Sequence, residues 1–309
     1  QRGFLMWTSE EHAESVEVFA VDRWALNDAW TLVYGGQFVD TSRDVGEGIR
    51  GDYSSFNPRV GLIHALSDTN ELFASVSKLF EPPTTFEMVD DRTGTGQLLQ
   101  PMEGVVGEIG VRGSANDDAG TRWHWDVSVY YAKIDDEILS VDDPEAPGTS
   151  LSTNVDSTIH AGVEALVGAS FALGNRHRIE PLVSLTLNEF SFDGDPVYGN
   201  NDLPAAPKYA ARGEIIYRHA SGFYAGPTFD FIGSRYADFS NTYKVGSHEL
   251  LGLRGGFAAQ RWEVFGEVRN VFDEDYISTV SVRDVAGPNA QVLFPGAPRS
   301  AYVGARVSF

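Results

Sequence analysis

The sequence predicts an all-β chain, a transmembrane antiparallel β-barrel, from three observations. Apolar and polar residues alternate in segment after segment, short connections alternate with long ones, and tryptophans gather beside the short ones. The last segment shows the alternation clearly. Ala301, Val303, Ala305, Val307 and Phe309 fall on one face of a strand, and Tyr302, Gly304, Arg306 and Ser308 on the other, because successive side chains of an extended chain point to opposite sides. One oily face and one polar face suit a wall with lipid outside and water inside.

Composition sets the limits. With 309 residues and 42% apolar content, and a mean hydropathy of −0.20, the chain is too polar for helical spans. No apolar run approaches the roughly 18 residues that a spanning helix needs. A closed barrel crosses lipid with only alternate residues oily, because its backbone hydrogen bonds are made between strands. Cysteine is absent, which removes disulfides and thiolate metal sites and is compatible with an oxidising envelope compartment. A net charge of −21 argues against nucleic acid as a partner, since phosphates attract Lys and Arg.

In chain order, strands are expected at 16–24, 30–39, 60–66, 72–80, 104–112, 123–138, 159–173, 179–190, 209–218, 223–233, 250–259, 262–272 and 301–309. Brief links at 27–28, 67–70, 174–175, 220–222 and 259–260 read as hairpin turns. The links at 40–57, 81–100, 140–156, 193–207, 237–248 and 273–300 are long and polar. Outer-membrane barrels have this asymmetry, with short periplasmic turns and long external loops; only the turn at 114–121 is longer than its class. Trp24, Trp30, Trp123, Trp125 and Trp262 all sit beside short turns, where amphipathic rings mark the headgroup level.

The opposite faces carry charge. Arg212, Glu214, Ile216 and Arg218 alternate with Ala211, Gly213, Ile215 and Tyr217, and Glu263, Phe265, Glu267 and Arg269 alternate with Trp262, Val264, Gly266 and Val268. An Arg or Lys on the lipid face near the midplane costs about 2 to 4 kcal/mol, so these charges are expected to line the lumen in cross-strand pairs. Counting back from a periplasmic Phe309 gives about 12 or 13 strands, an arrangement that predicts further strands before Gln1.

Several segments carry a family resemblance. Asn57-Pro58-Arg59-Val60-Gly61 with the run from Leu72 to Glu81-Pro82-Pro83 resembles a strand pair and loop entry of TonB-dependent outer-membrane receptors. The segments from Glu108 to Arg112, Val127 to Tyr131, Asp136 to Ser140 and Ser221 to Pro227, the run Arg269-Asn270-Val271-Phe272-Asp273 with Tyr276, and the terminal Phe309 are similar to the same family in order and spacing. The resemblance implies that the whole chain, 1–309, is a partial receptor barrel domain, the C-terminal twelve to thirteen strands of a 22-stranded barrel plugged by an N-terminal domain, with plug and first strands lying outside it. It implies energised import of a ferric siderophore, with wording closest to ferric-citrate-type receptors. The implied partners are outer-membrane lipid and lipopolysaccharide, the ferric chelate, the barrel-assembly machinery, and the TonB–ExbB–ExbD complex through the N-terminal part. Val303, Ala305, Val307 and Phe309 would form the C-terminal assembly signal.

Catalysis has little support. The histidines 12, 64, 124, 160, 177, 219 and 248 are scattered with no metal-site spacing, and no cofactor is implied. Asp135-Asp136-Glu137 and Asp90-Asp91 resemble calcium ligands in type, with solvated acidic loops linked to lipopolysaccharide through divalent ions as the plainer reading. Gly252, Gly255 and Gly256 lie within a strand and mark close contacts rather than a phosphate loop. For a negatively charged chelate, loop guanidinium and amide donors are the binding candidates: Arg43, Arg50, Arg92, Gln97, Arg283, Asn289 and Gln291, with Phe86 as a wall. Cobalamin-like or quinone-like cargo, a passive pore and an outer-membrane hydrolase are the alternatives.

Overall fold

A computed structural model describes residues 10–46, 48–91, 98–117, 120–142, 150–287, 290 and 292–308. Its elements in chain order are β1 (His12–Ala25), β2 (Trp30–Asp44), β3 (Arg50–Ser67), β4 (Asn70–Glu81), α1 (Thr85–Asp91), β5 (Met102–Asn116), β6 (Arg122–Asp142), β7 (Ser150–Ala172) and β8 (His177–Phe192). They continue with β9 (Tyr209–His219), β10 (Phe223–Ile232), β11 (Arg235–Tyr236), β12 (Lys244–Val245), β13 (His248–Ala258), β14 (Trp262–Arg269), β15 (Ile277–Val280), β16 (Leu293–Pro295) and β17 (Ser300–Val307). Thirteen strands form one sheet in the order β1 to β10, β13, β14, β17, each antiparallel to its neighbours, so every strand the alternation predicts is present. The hairpins β11–β12 and β15–β16 stand apart in the long links.

Register makes the two faces continuous. Val129 pairs with Ile109 on one side and Val163 on the other, Val163 with Leu187, and Leu187 with Tyr209. All share the face of Trp123 and Trp125, and charge reappears on that face of β6 only at Lys133 and Asp135, towards the long loops. From Trp123 to Lys133 is about ten residues, or about 33 Å of strand. With a tilt near 40° this gives about 25 Å, the height of a lipid-facing band. Ile109, Val129, Ile215, Val264 and Val303 on this face are all exposed. Three ring pairs mark the short-turn end of this face: Trp123 meets Phe171 edge-on at 5.3 Å, Phe257 stacks on Trp262 at 5.6 Å, and Trp30 stacks on His64 at 4.1 Å.

The other face is charged and largely self-paired. Arg212 bonds Asp230 (3.0 Å), Arg218 bonds Glu180 (2.6 Å), Arg254 bonds Glu214 (3.0 Å), Arg269 bonds Glu267 (2.6 Å) and Arg306 approaches Glu263 (3.5 Å). Four of these join different strands, as expected, while Arg269 and Glu267 stand two residues apart on β14. The sheet curves with this face inside, for a cavity of about 640 Å³ is lined by Arg23 on β1, Arg59 on β3, Arg112 on β5, Asp126 on β6 and Thr186 on β8.

Two of the long links are shorter than expected. β2 runs on to Asp44 and β3 starts at Arg50, so 40–57 is mostly strand closed by a tight bend, and β6 and β7 similarly extend to Asp142 and from Ser150. These extensions rise above the lipid band, so nothing there demands an oily face, and their alternation is of buried with exposed polar residues: Thr41, Ser55 and Asn57 are buried. The link 81–100 holds a short helix, α1, where a loop was expected. Thr84 caps it: its amide (2.7 Å) and hydroxyl (2.9 Å) both bond the Glu87 carboxylate, and Glu87 N–H bonds the Thr84 hydroxyl (3.2 Å).

The turn between β9 and β10 needs its glycine. Gly222 has φ of +101°, and a Cβ there would lie 2.1 Å from the Ala258 carbonyl oxygen of β13. Gly222→Ala is therefore expected to cost about 1 to 3 kcal/mol from backbone strain, with the contact adding to it. A urea unfolding midpoint equal to the parent's would contradict that expectation.

Candidate binding site in the long loops

At the long-loop end the chain builds two small apolar clusters. Val155, Phe192, Leu203 and Phe239 are buried together, with Tyr198 and Val282 against them, and Ala237, Val245, Ala286 and Val292 form the second. Phe192 stacks on Tyr198 at 5.0 Å and meets Phe239 edge-on at 5.8 Å. Burial, aided by the Asp284 carboxylate, pushes the Tyr198 hydroxyl well above the usual phenol range, so it stays a neutral donor. These residues come from β7, β8 and the links 193–208, 233–247 and 270–299, so the loops pack as one lobe.

Asp238 ties that lobe together. Fully buried, its carboxylate accepts from Thr242 N–H (3.0 Å), Tyr243 N–H (3.0 Å), Ala286 N–H (3.1 Å) and the Thr242 hydroxyl. Next to it Phe239 N–H donates to Arg283 C=O (3.0 Å) and Ser240 N–H to Asp284 C=O (3.0 Å). Asp142 at the end of β6 then accepts from Arg283 Nη1 (2.9 Å) and Asp284 N–H (3.2 Å), while its own N–H donates to Asp284 Oδ1 (3.0 Å). Asn201 and Asn241 bridge the links 193–208 and 233–247 through Phe239 C=O (2.8 Å) and Asp202 C=O (2.9 Å).

A second assembly forms over β3. Met88 of α1, Leu99 and Tyr53 are buried together, with the Tyr53 hydroxyl donating to Leu99 C=O (3.0 Å). Asn154 of β7 clamps Gln100, accepting from its N–H (2.9 Å) and donating to its C=O (3.0 Å), and also donates to Asp136 C=O (2.7 Å). Asp136 adopts a φ of +57°, and burial, then the carboxylates of Asp135, Asp156 and Glu103, raise its pKa.

The nominated donors separate into two groups. Arg43 and Arg50 share the β2–β3 hairpin. The Arg43 guanidinium donates to Glu14 C=O (3.1 Å) and Ser42 C=O (3.0 Å), and Arg50 meets Asp52 at 3.0 Å with both side chains exposed. Phe86 on α1 is 75% exposed, so its ring is free for contact. Arg283 belongs to the lobe, its guanidinium held by Asp142. Arg92, Gln97, Asn289 and Gln291 lie outside the described residues, as does Phe309; of Asp90 and Asp91 only the backbone is described. Asp135, Asp136 and Glu137 do not gather into a metal cluster, and no group of three such ligands forms among the described residues.

Sequence reasoning missed Asp238, Asp142 and Asn154, whose partners are mostly far away along the chain. Only the local part of the Asp238 motif left a signal, an Asp followed by Asn241 and Thr242, residue types that favour side-chain-to-backbone turns.

His248 makes the lobe's base sensitive to acid. It is buried against Tyr276, and burial, then the Arg235 guanidinium, lowers its pKa from 6.5, with the Asp230 and Glu274 carboxylates opposing. The unfolded imidazole takes up a proton that the folded one resists, so this contribution is full above pH about 6.5 and declines below it. Amide exchange in residues 244–248 and 276–280 is expected to quicken as pH falls from 7 towards 5.5, and His248→Gln to flatten that dependence. An unchanged slope in the variant would assign the effect elsewhere.

Comparison with known proteins shows where this architecture recurs. Residues 5–271 match the family model described as TonB dependent receptor-like, beta-barrel. The chain is 24% identical over 285 residues to a ferric-pyoverdine receptor of Pseudomonas putida, covering 89% of this chain and 33% of that protein. Among solved structures, a copper transporter superposes with a TM-score of 0.78 at 18% identity, covering 97% of this chain and 48% of that one. The ferripyoverdine receptor of the outer membrane of Pseudomonas aeruginosa, bound to ferripyoverdine, gives 0.71 at 18% identity, covering 97% and 39%. The chain thus spans about a third of the length of its curated relative and under half of those solved structures.

Proposed function

The chain belongs to the TonB-dependent receptor β-barrel family, and on that premise we propose that it supplies outer wall and external binding loops to an energised importer of a ferric siderophore or a similar scarce chelate. The observation that carries this reading is the loop lobe. Long external links are common to outer-membrane barrels, but here three of them and two strand extensions are bound into one body around Asp238 and Asp142. A rigid, polar-rimmed body at the outer mouth is suited to holding a ligand before release inward. The relative's name, a ferric-pyoverdine receptor, supports an iron chelate as cargo. Energy coupling through TonB follows the family rather than any residue described in this chain.

Uptake separates this reading from a passive pore. Cells carrying the intact receptor should accumulate radiolabelled ferric chelate, and a protonophore should stop it; uptake indifferent to the protonophore would favour the pore. Within the receptor, Arg43, Arg50 and Phe86 are the contacts to test, together with Arg92, Gln97, Asn289 and Gln291. A charge-assisted bond contributes about 1.5 to 3 kcal/mol, so Arg43→Ala with Arg50→Ala should weaken chelate binding by about tenfold or more. Unchanged affinity by tryptophan quenching would remove both. Arg283 is a positioning residue in this scheme, acting through Asp142, so Arg283→Ala should loosen the lobe as well as binding.

A further inference from the structure

The ladder between β10 and β13 breaks at the base of the lobe. It ends at the pair Ile232–His248 and resumes in the β11–β12 hairpin at Arg235–Val245, with Gly233-Ser234 on one side of the break and Gly246-Ser247 on the other. Arg235 and His248 therefore flank one interruption from opposite strands. Both are more than nine-tenths buried, at 5% and 7% exposed.

Only part of the Arg235 guanidinium is used. Its Nη2 donates to Ile277 C=O (3.0 Å) and Ser278 C=O (3.1 Å) of β15, whereas the buried Nη1 finds no acceptor among the described residues. Burial lowers its pKa, and no carboxylate opposes that shift. His248 repeats the pattern: its ring lies on Tyr276 at 4.6 Å, and its buried Nδ1 has no hydrogen-bond partner among the described residues. After burial, the Arg235 guanidinium acts most strongly on the His248 ring, so the two groups are close. Of the two carboxylates that also act on the ring, Asp230 is engaged by Arg212 at 3.0 Å and Glu274 is exposed. A buried guanidinium without a counter-charge is costly, and buried polar atoms are nearly always satisfied by protein, water or an ion. Water would satisfy the hydrogen bonds and leave the charge uncompensated; an anion satisfies both.

We propose that Arg235 and His248 hold a single small monovalent anion, chloride in ordinary media, with Arg235 Nη1 as the charged donor and His248, in its Nδ1–H tautomer, as the neutral one. One guanidinium balances one negative charge, and the Asp230 and Glu274 carboxylates nearby disfavour a divalent ion. Through Arg235 the ion secures β11 and β15, and through His248 the start of β13, so it fastens the lobe to the sheet. The assignment does not depend on the identity of the cargo or on energised import.

The first test is bromide scattering from crystals of the intact receptor grown in sodium bromide, where an anomalous peak is expected between Arg235 Nη1 and His248 Nδ1. The second is amide exchange of the intact receptor in detergent at pH about 7.5, where His248 is neutral, in sodium chloride or sodium gluconate of equal ionic strength. An anion that binds only the closed lobe slows its opening by the factor 1 + [L]/Kd, so residues 235–248 and 276–280 should exchange about threefold or more slowly in chloride. Arg235→Gln should erase that difference, with heat-modifiable mobility on a gel as in the parent because Arg235 lies outside the thirteen-strand sheet. If the variant assembles poorly, bromide scattering from the parent still decides. Acetate that protects as chloride does widens the class to small carboxylates, and acetate that fails to protect narrows it to halides; both support the site. A map with no anomalous peak at this position, or exchange in the parent that is equal in the two salts, overturns it.

Discussion

Replacing Asp238 with Ala in the intact receptor is expected to unfasten the loop lobe while leaving the barrel assembled. Three backbone N–H groups and a hydroxyl converge on that carboxylate from within its own link and from Ala286, 48 residues away in sequence. Hydrogen bonds to a charged acceptor contribute about 1.5 to 3 kcal/mol each, and buried donors stripped of a partner add their own desolvation penalty, so several kcal/mol of local stability are at stake. The measurable result is rapid proteolysis and fast amide exchange over residues 237–245 and 277–287, and a fall in chelate affinity of about tenfold or more. Heat-modifiable mobility should stay as in the parent, because Asp238 lies outside the thirteen-strand sheet. Asp238→Asn should fall between, since its amide keeps one acceptor oxygen. Protease patterns identical in all three proteins would show that the lobe does not depend on this carboxylate.

The second large effect concerns the lipid face. Val129 lies near the middle of the band, between Ile109 and Val163 and about half exposed. Val129→Arg would place a guanidinium at the hydrocarbon midplane, at a cost of about 2 to 4 kcal/mol. Folding into lipid vesicles should show a lower urea midpoint and a lower assembled fraction. Thr186 provides the control: it lies on the inner face between Glu164 and Ala210 and lines the wet cavity, so Thr186→Arg should change little. Should the two variants unfold alike, the assignment of faces would be wrong.

How much of this was legible depends on what each residue had to satisfy. The strands were legible because a wall between oil and water must segregate its side chains at period two, and Val303, Ile215 and Val264 carry that signal in sequence. Their ends were not. Above the bilayer, Thr41, Ser55 and Asn57 face protein instead of lipid, and polar residues in strand conformation look like loop. The helix α1 had a readable signature in Thr84 and Glu87 three residues later, but a reading tuned to period two passes over about two turns of period 3.6. The lobe was illegible for another reason. Asp238 finds Ala286, and Asp142 finds Arg283, only once the sheet has brought the links together, and no local pattern encodes a partner so distant. The donors nominated from loop composition were accordingly scattered between a hairpin and the lobe.

From β9 to β17 the inner wall is dense in charge yet nearly cancels itself, each of its five arginines being matched by a nearby carboxylate. Opposite charges a few ångströms apart present a small dipole whose pull fades quickly in water. Along that stretch an ion of either sign meets a slippery surface with no deep trap.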